Sequence, residues 1–167
     1  PLHLHNYGFE DPRAVLWKGQ GIVVANGKLD NIRTRAMYMI NIDAKNVTNL
    51  WIRYTPTQDS RDVKVPCGLG EKPDFGLCTE KNWIPFVHHD RLRFIYSMGS
   101  RDLTILELKD AATGECVLVQ GSLQLDTTHR NYSGGSALIP WAYPYYVGLA
   151  HISRAIPNKE SFNGMTL

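Results

Sequence analysis

Arg13-Ala14-Val15-Leu16-Trp17-Lys18-Gly19-Gln20-Gly21-Ile22-Val23-Val24-Ala25 decides the fold class of this chain. Two strand-forming runs, Arg13–Trp17 and Gly21–Ala25, flank a short glycine-containing connection that reads as a hairpin. Asn26-Gly27 then reads as the end of the second strand. Outward from this pair the dominant period stays at two. Arg35 to Ile42 and Leu50 to Tyr54 form a second pair, joined through the polar stretch Asp43 to Asn49. Four strands therefore occupy roughly 45 residues.

Thr55 to Asn82 breaks the pattern with Pro, Gly, Asp and Lys. We read it as one long loop excursion, of a length that usually carries function or disorder. The alternation resumes in a second set of four: Trp83–Val87, Leu92–Ser97, Leu103–Leu108 and Cys116–Gln120, separated by His89-Asp90, Gly99-Ser100 and Thr113-Gly114. A third set starts with Ser136–Trp141 and Tyr145–His151, and Pro157, Asn158, Asn163 and Gly164 read as loop beyond it. Four-strand sets repeating about every 45 to 50 residues predict an all-β chain, 1–167, built as a β-propeller or a fragment of one. Two to three blades are visible, whereas closed propellers use about four to eight. The alternative is a β-sandwich of roughly ten strands.

Composition narrows the function classes. The chain is 43% hydrophobic and 20% charged, with 18 Lys+Arg against 16 Asp+Glu interleaved along it. A net charge of +2 without a basic run gives no sustained field for a phosphate backbone, so nucleic acid is not an expected partner. Apolar runs such as Ile22–Ala25 fall far short of the ~20 residues that span a bilayer. Pro1 in place of Met, with no basic-then-apolar leader, reads as a processed or excised start. Cys67 and Cys78 flank a Gly/Pro-rich stretch whose closure by a disulfide would contribute about 2–3 kcal/mol, leaving Cys116 unpaired. Together with the sequons Asn46-Val47-Thr48 and Asn131-Tyr132-Ser133, this points to the secretory-pathway lumen or the extracellular space, with the cytoplasm as the alternative.

The strongest chemical candidate is Gly8-Phe9-Glu10-Asp11-Pro12-Arg13. Pro12 restricts Asp11 to an extended backbone. Strand alternation points Asp11 and Arg13 to one side and Glu10 to the other. A carboxyl in such a place could act as a proton donor. The competing reading is an Asp-Pro turn at the start of a strand.

EDPR (Glu10–Arg13), then KNWIPF (Lys81–Phe86) with LRFIYS (Leu92–Ser97), then GGSALIPW (Gly134–Trp141) with YYVGLAHISR (Tyr145–Arg154) resemble, in that order, the motifs of five-bladed β-propeller carbohydrate enzymes. The comparison is with β-mannoside phosphorylases and the related β-1,2-mannosyltransferases, and it runs from Gly8 to Arg154. The resemblance implies an inverting glycosyltransferase or glycoside phosphorylase acting on β-mannosides or similar glycans. Phosphate or a nucleotide sugar would be co-substrate, with no other cofactor. It implies that Asp11 is the general acid, that Arg13 and Lys81 bind sugar or phosphate, and that Tyr96, Ser136, Trp141 and His151 contact substrate. A phosphorylase needs one protein carboxyl, because phosphate is the nucleophile. An inverting hydrolase needs a second, about 6.5–9.5 Å away. Glu10 is expected to point away, Glu107 and Asp102 to lie on a solvated face, and only Asp126 stands near another strand start, so hydrolysis is the less favoured chemistry.

Other constellations read more plainly. His3-Leu4-His5 could ligate a metal but lacks a third ligand nearby, and His88-His89-Asp90 reads as a hairpin turn. Ser136 lacks the GxSxG spacing of a nucleophile elbow. Gly134-Gly135 reads as a place of close backbone approach, to a sugar or to a neighbouring strand. Trp83, Trp141, Tyr143, Tyr145 and Tyr146 are candidates for sugar stacking or for the core, with Trp141 and Tyr143 the better stacking candidates. The alternative to an enzyme is a non-catalytic glycan-binding module, which would share the aromatics and not depend on Asp11.

Overall fold

The computed structural model describes residues 8–28, 35–53, 82–98, 103–119, 132–156 and 159–166. Lys81, the excursion before Asn82, Cys67 with Cys78, the Asn131 sequon, Asp102, Asp126, and His3 with His5 lie outside the described residues. The described chain is all-β and contains no helix. Its strands are β1 (Phe9–Trp17), β2 (Gln20–Lys28), β3 (Arg35–Asn41), β4 (Asn46–Arg53), β5 (Ile84–His88), β6 (Arg91–Met98), β7 (Leu103–Asp110), β8 (Glu115–Leu118), β9 (Tyr132–Gly134), β10 (Ile139–Ala142), β11 (Tyr145–Val147), β12 (Ala150–Ile156) and β13 (Lys159–Thr166).

Two antiparallel meanders of four strands, β1–β4 and β5–β8, form the body, as the spacing of the runs predicts. They join through a parallel pairing of β4 with β8, Trp51 to Arg53 lying against Glu115 to Val117. β6 also meets β9 at Met98 and Tyr132, and β12 and β13 extend the sheet from there. β10 pairs with β11 alone, but the two short pairs β9–β12 and β10–β11 read as one interrupted hairpin. Across the interruption the Gly135 and Ser136 amides donate to the Leu149 carbonyl, at 3.0 and 3.2 Å, and the Leu149 amide donates to Ser136 Oγ at 2.8 Å.

The first hairpin of each meander turns on two residues with positive φ, Lys18 and Gly19 in one and His89 and Asp90 in the other. That is the backbone a two-residue turn needs to match strand twist. The first strands share a second trait. β1, β5 and β10 each carry one proline, Pro12, Pro85 and Pro140, and among the described residues each pairs with a strand on one side only.

Two expectations fail in instructive ways. Asn26-Gly27 does not end β2, which runs on to Lys28. Asn26 is fully buried with its amide engaged, and Gly27 is there for room: a Cβ would come within 3.1 Å of the Tyr38 ring and 3.2 Å of the Phe9 ring. Asn163 and Gly164 lie in strand, not loop, because β12 offers its ladder edge to Lys159–Thr166, while Pro157 and Asn158 lie outside the described residues.

Packing follows the two faces of β5–β8. One face gives Trp83, Leu92, Phe94, Leu106, Leu108 and Cys116 to a core completed by Ile22, Val24, Met37, Met39, Leu50 and Ile52 from β1–β4. The opposite face gathers Ile84, Phe86 and Ile95 beneath Leu138 and Tyr146. Cys116 is a free thiol in the main core, and burial, then the Glu115 charge, pushes its pKa up.

Glu107, expected on a solvated face, is buried. Its carboxylate accepts from Arg91 Nη1 at 2.7 Å, Arg93 Nε at 3.1 Å and Lys109 Nζ at 3.3 Å. Burial works to raise its pKa, but the bonds from Arg91, Lys109 and Arg93 outweigh it and hold the carboxyl below its ordinary range. A depressed folded-state pKa contributes stability that is complete above the ordinary value and lost as pH falls through the lowered one. Glu107→Gln is therefore expected to lower the urea midpoint at neutral pH, with the gap to wild type closing as pH falls below the ordinary carboxylate range. A gap that stays constant with pH would show that the charge contributes nothing.

Candidate functional site

β1 begins irregularly, and the irregularity builds the site. Its ladder to β2 pairs Glu10 with Asn26 and then jumps to Arg13 with Val24, so Asp11 and Pro12 together stand opposite Ala25, one residue too many, in a bulge. Asp11 consequently has φ of 51° instead of the extended backbone expected before proline. The bulge also breaks the alternation that would put Asp11 and Arg13 on one side. Asp11 is exposed, whereas Arg13 is 5% exposed.

Arg13 ties the start of β1 to Asn82, just before β5, and to Gly134, the last residue of β9. Its Nη1 donates to the Asp11 carbonyl at 3.0 Å, and its Nη2 donates to Asn82 Oδ1 at 3.2 Å and to the Gly134 carbonyl at 2.7 Å. Burial lowers the affinity of this guanidinium for its proton, and the Asp11 charge works against that. Its Nε is buried and has no partner among the described residues. Asn82 mirrors Asp11: each has positive φ, and each stands seven residues before the first positive-φ residue of its hairpin turn, Lys18 or His89. Gly134 completes the trio. A Cβ there would drive into Ile84 Cγ1 and the Asn82 carbonyl, so the close approach is to a neighbouring strand.

Above Arg13 lies a second layer. Asn26 Nδ2 donates to Asp11 Oδ2 at 3.2 Å, and Arg35 Nη1 donates to Asn26 Oδ1 at 2.9 Å while also pairing with Glu10. Glu10, expected to point away, is thus drawn into the network that holds Asp11. Asn26, Arg35 and Asn82 were not legible as site residues. The available signal was polar residues inside or beside apolar strand runs, and at Asn26 the turn-like Asn-Gly pair masked it.

The remaining candidates divide by position. His151 pairs with Ser133, next to the Gly134 carbonyl that Arg13 holds, so it stands at the same end of the strands as Asp11. Ser136 spends its hydroxyl in the interruption, accepting from the Leu149 amide and donating to the Ala137 carbonyl at 2.9 Å. Tyr96 packs against the main core, its ring edge-on to Trp83 at 5.6 Å, and Trp83 is itself buried. Trp141 is 76% exposed beside the β10–β11 turn, seven residues past Gly134, on the order of 20 Å along an extended strand. It and Tyr143 are not gathered with Asp11. Among the described residues, no group of three or more His, Cys, Asp or Glu is placed to hold a metal ion. No helix among them is long and apolar enough to cross a membrane.

The hairpin end has its own ties. Trp17 Nε1 donates to the Asp90 carbonyl at 2.9 Å, and the Tyr146 hydroxyl donates to the Val87 carbonyl at 3.0 Å. With that proton spent, His88 Nδ1–H donates to the Tyr146 oxygen at 2.9 Å. Burial first, then His89 and Arg93, lowers the His88 pKa, which favours the neutral ring.

No protein-family model, curated protein or solved structure matches the chain.

Proposed function

We propose that the chain is a carbohydrate-active protein, an inverting glycosyltransferase or glycoside phosphorylase acting on β-mannosides or similar glycans, in which Asp11 is the general acid. The observation that carries this reading is an exposed carboxylate at the start of β1, fixed by Asn26, with a second layer of Arg35 and a buried clasp of Arg13. A proton donor must be held within hydrogen-bond reach of the leaving oxygen, and a fixed, exposed carboxyl suits that role. In the phosphorolytic direction a phosphate oxygen bonds to the anomeric carbon from the face opposite the leaving group. The glycosidic C–O bond breaks, and Asp11 gives its proton to the departing oxygen. Arg13 positions this mouth rather than touching substrate, because its guanidinium is buried and engaged. Lys81 keeps a proposed role toward phosphate. A hydrolase would need a second, unengaged carboxylate, and the adjacent Glu10 is paired with Arg35.

The same reading takes the successive sheets as blades of a five-bladed type of propeller, of which this chain supplies part. Two observations support it: β5–β8 is covered on both faces, and β1 lies alongside β5 with their hairpin ends level. A lumenal or extracellular location belongs to the same proposal. Its support is Asn46, which stands exposed at the start of β4 within its sequon.

The test offers the protein mannosyl and other glycosyl 1-phosphates and nucleotide sugars with short acceptors, and follows released phosphate or nucleotide. Turnover is expected in wild type and should fall about 10²–10⁴-fold in Asp11→Asn, with little change in thermal midpoint. Asparagine tolerates the positive φ and keeps an oxygen for Asn26, so a folding loss is not expected. Full turnover in Asp11→Asn would sink the assignment. A protein that binds glycans but turns over no donor would be the non-catalytic module instead.

A further inference from the structure

Arg35, the first residue of β3, stands beside Asp11 with one edge of its guanidinium unspent. Its Nη1 makes the bonds that hold the side chain, to Asn26 Oδ1 at 2.9 Å and to the Glu10 carboxylate. Nε and Nη2 have no partner among the described residues, and the side chain is 27% exposed, which leaves that edge room for a ligand. Nε and Nη2 together are a fork that grips an oxyanion through two parallel hydrogen bonds. Arg13 has no such fork to offer, because it is buried and its Nη2 is engaged by Asn82 and Gly134.

We propose that Arg35 binds a phosphate group beside Asp11, that of the inorganic phosphate or activated sugar taken as co-substrate. The inference deepens the reading of Asp11 as general acid and rests on it for the reaction, whereas the anion site rests on the Arg35 geometry. Asn26 and Glu10 already fix Nη1 from two sides, so the fork loses little freedom on binding. Asp11 and Arg35 hang from opposite ends of the Asn26 amide by bonds of 3.2 and 2.9 Å, which puts Asp11 Oδ2 less than about 9 Å from Arg35 Nη1. An inverting site spaces its two working groups by about 6.5–9.5 Å, so a phosphate on Arg35 lies within the same reach of Asp11. Charge also favours an anion. The β2–β3 ladder sets Lys28 directly opposite Arg35. Like charges at opposite positions repel, and a bound anion offsets that. Among the described residues here, the basic Arg13, Lys28 and Arg35 outnumber the acidic Glu10 and Asp11.

Calorimetric titration of the chain with inorganic phosphate, mannosyl 1-phosphate and a nucleoside diphosphate tests the site and tells the sources of the phosphate group apart. At least one of the three is expected to bind, and Arg35→Gln should weaken it by about tenfold or more. Arg35→Lys keeps the charge but loses the fork, and should restore only part of the affinity. Glu10→Gln removes a competing carboxylate, and should tighten binding. A variant that had lost its fold could not bind more tightly, so the opposite shifts separate ligand contact from folding. The proposal is overturned if none of the three ligands binds, if Arg35→Gln binds like wild type, or if Glu10→Gln weakens binding as Arg35→Gln does. Turnover in Asp11→Asn reads the other claim. Lost turnover there with phosphate binding untouched in Arg35→Gln sinks this inference alone. Full turnover there with binding lost in Arg35→Gln sinks the acid and leaves the anion site.

Discussion

Gly114→Ala is expected to cost the fold about 3 kcal/mol, seen as a fall in the urea midpoint at unchanged slope. Gly114 has φ of 78°, where an alanine pays roughly 1–2 kcal/mol for its Cβ. The larger part comes from crowding. A Cβ at this position would drive into the Asn49 carbonyl on β4, and the backbone that must yield carries the bond from the Trp51 amide to the Gly114 carbonyl at 3.0 Å. That junction begins the parallel pairing of β4 with β8. Gly19 supplies the control, because it has nearly the same φ, 75°, with nothing within 4 Å of its would-be Cβ. Gly19→Ala should therefore cost only the conformational part, about 1 kcal/mol. Equal losses at the two glycines would show that the two sheets do not close on each other at Gly114.

Arg13→Ala is expected to lose about 3 kcal/mol or more, and Arg13→Lys to recover less than half of it. The alanine leaves the Gly134 carbonyl and Asn82 Oδ1 without their donor in a buried place, each a desolvation cost of about 1–3 kcal/mol, and leaves a void besides. Lysine keeps the charge, but one ammonium cannot span acceptors that the planar fork reaches together. Thermal or urea unfolding of both variants reads the difference. Full recovery by lysine would mean that charge alone is needed and that the three-way clasp is incidental.

The parts of this structure that were legible in the sequence are local. Lys18-Gly19 and His89-Asp90 announce their hairpins because turn geometry is decided by the residues within it. The strand sets follow from a period of two that each segment carries by itself. What was not legible depends on partners distant in the chain. Nothing near Arg13 says that its fork will close on a carbonyl at Gly134, more than a hundred residues away. Glu107 read as solvated because its acidity was weighed alone. Arg91 and Arg93, on the neighbouring strand, and Lys109 make its burial tolerable. At Asn26 and at Lys159–Thr166, residues typical of turns were overruled by a pairing edge that the sequence does not display. Asp11 was singled out from its place at a strand start. Its conformation was misjudged because a bulge is a property of two strands together.

The prolines in the first strands bear on how the nascent chain avoids error. Among the described residues β1 and β10 each leave one edge unpaired and exposed, whereas the open side of β5 is buried and its Pro85 carbonyl accepts from the Leu138 amide at 3.1 Å. Exposed edges invite templated addition of strands from other molecules, and Pro12 and Pro140 remove an amide donor from each, so a foreign strand arriving there finds a broken ladder. Fibrillar aggregation and strand swapping, which both begin by edge-to-edge zippering, are thereby disfavoured at the strands that meet solvent first.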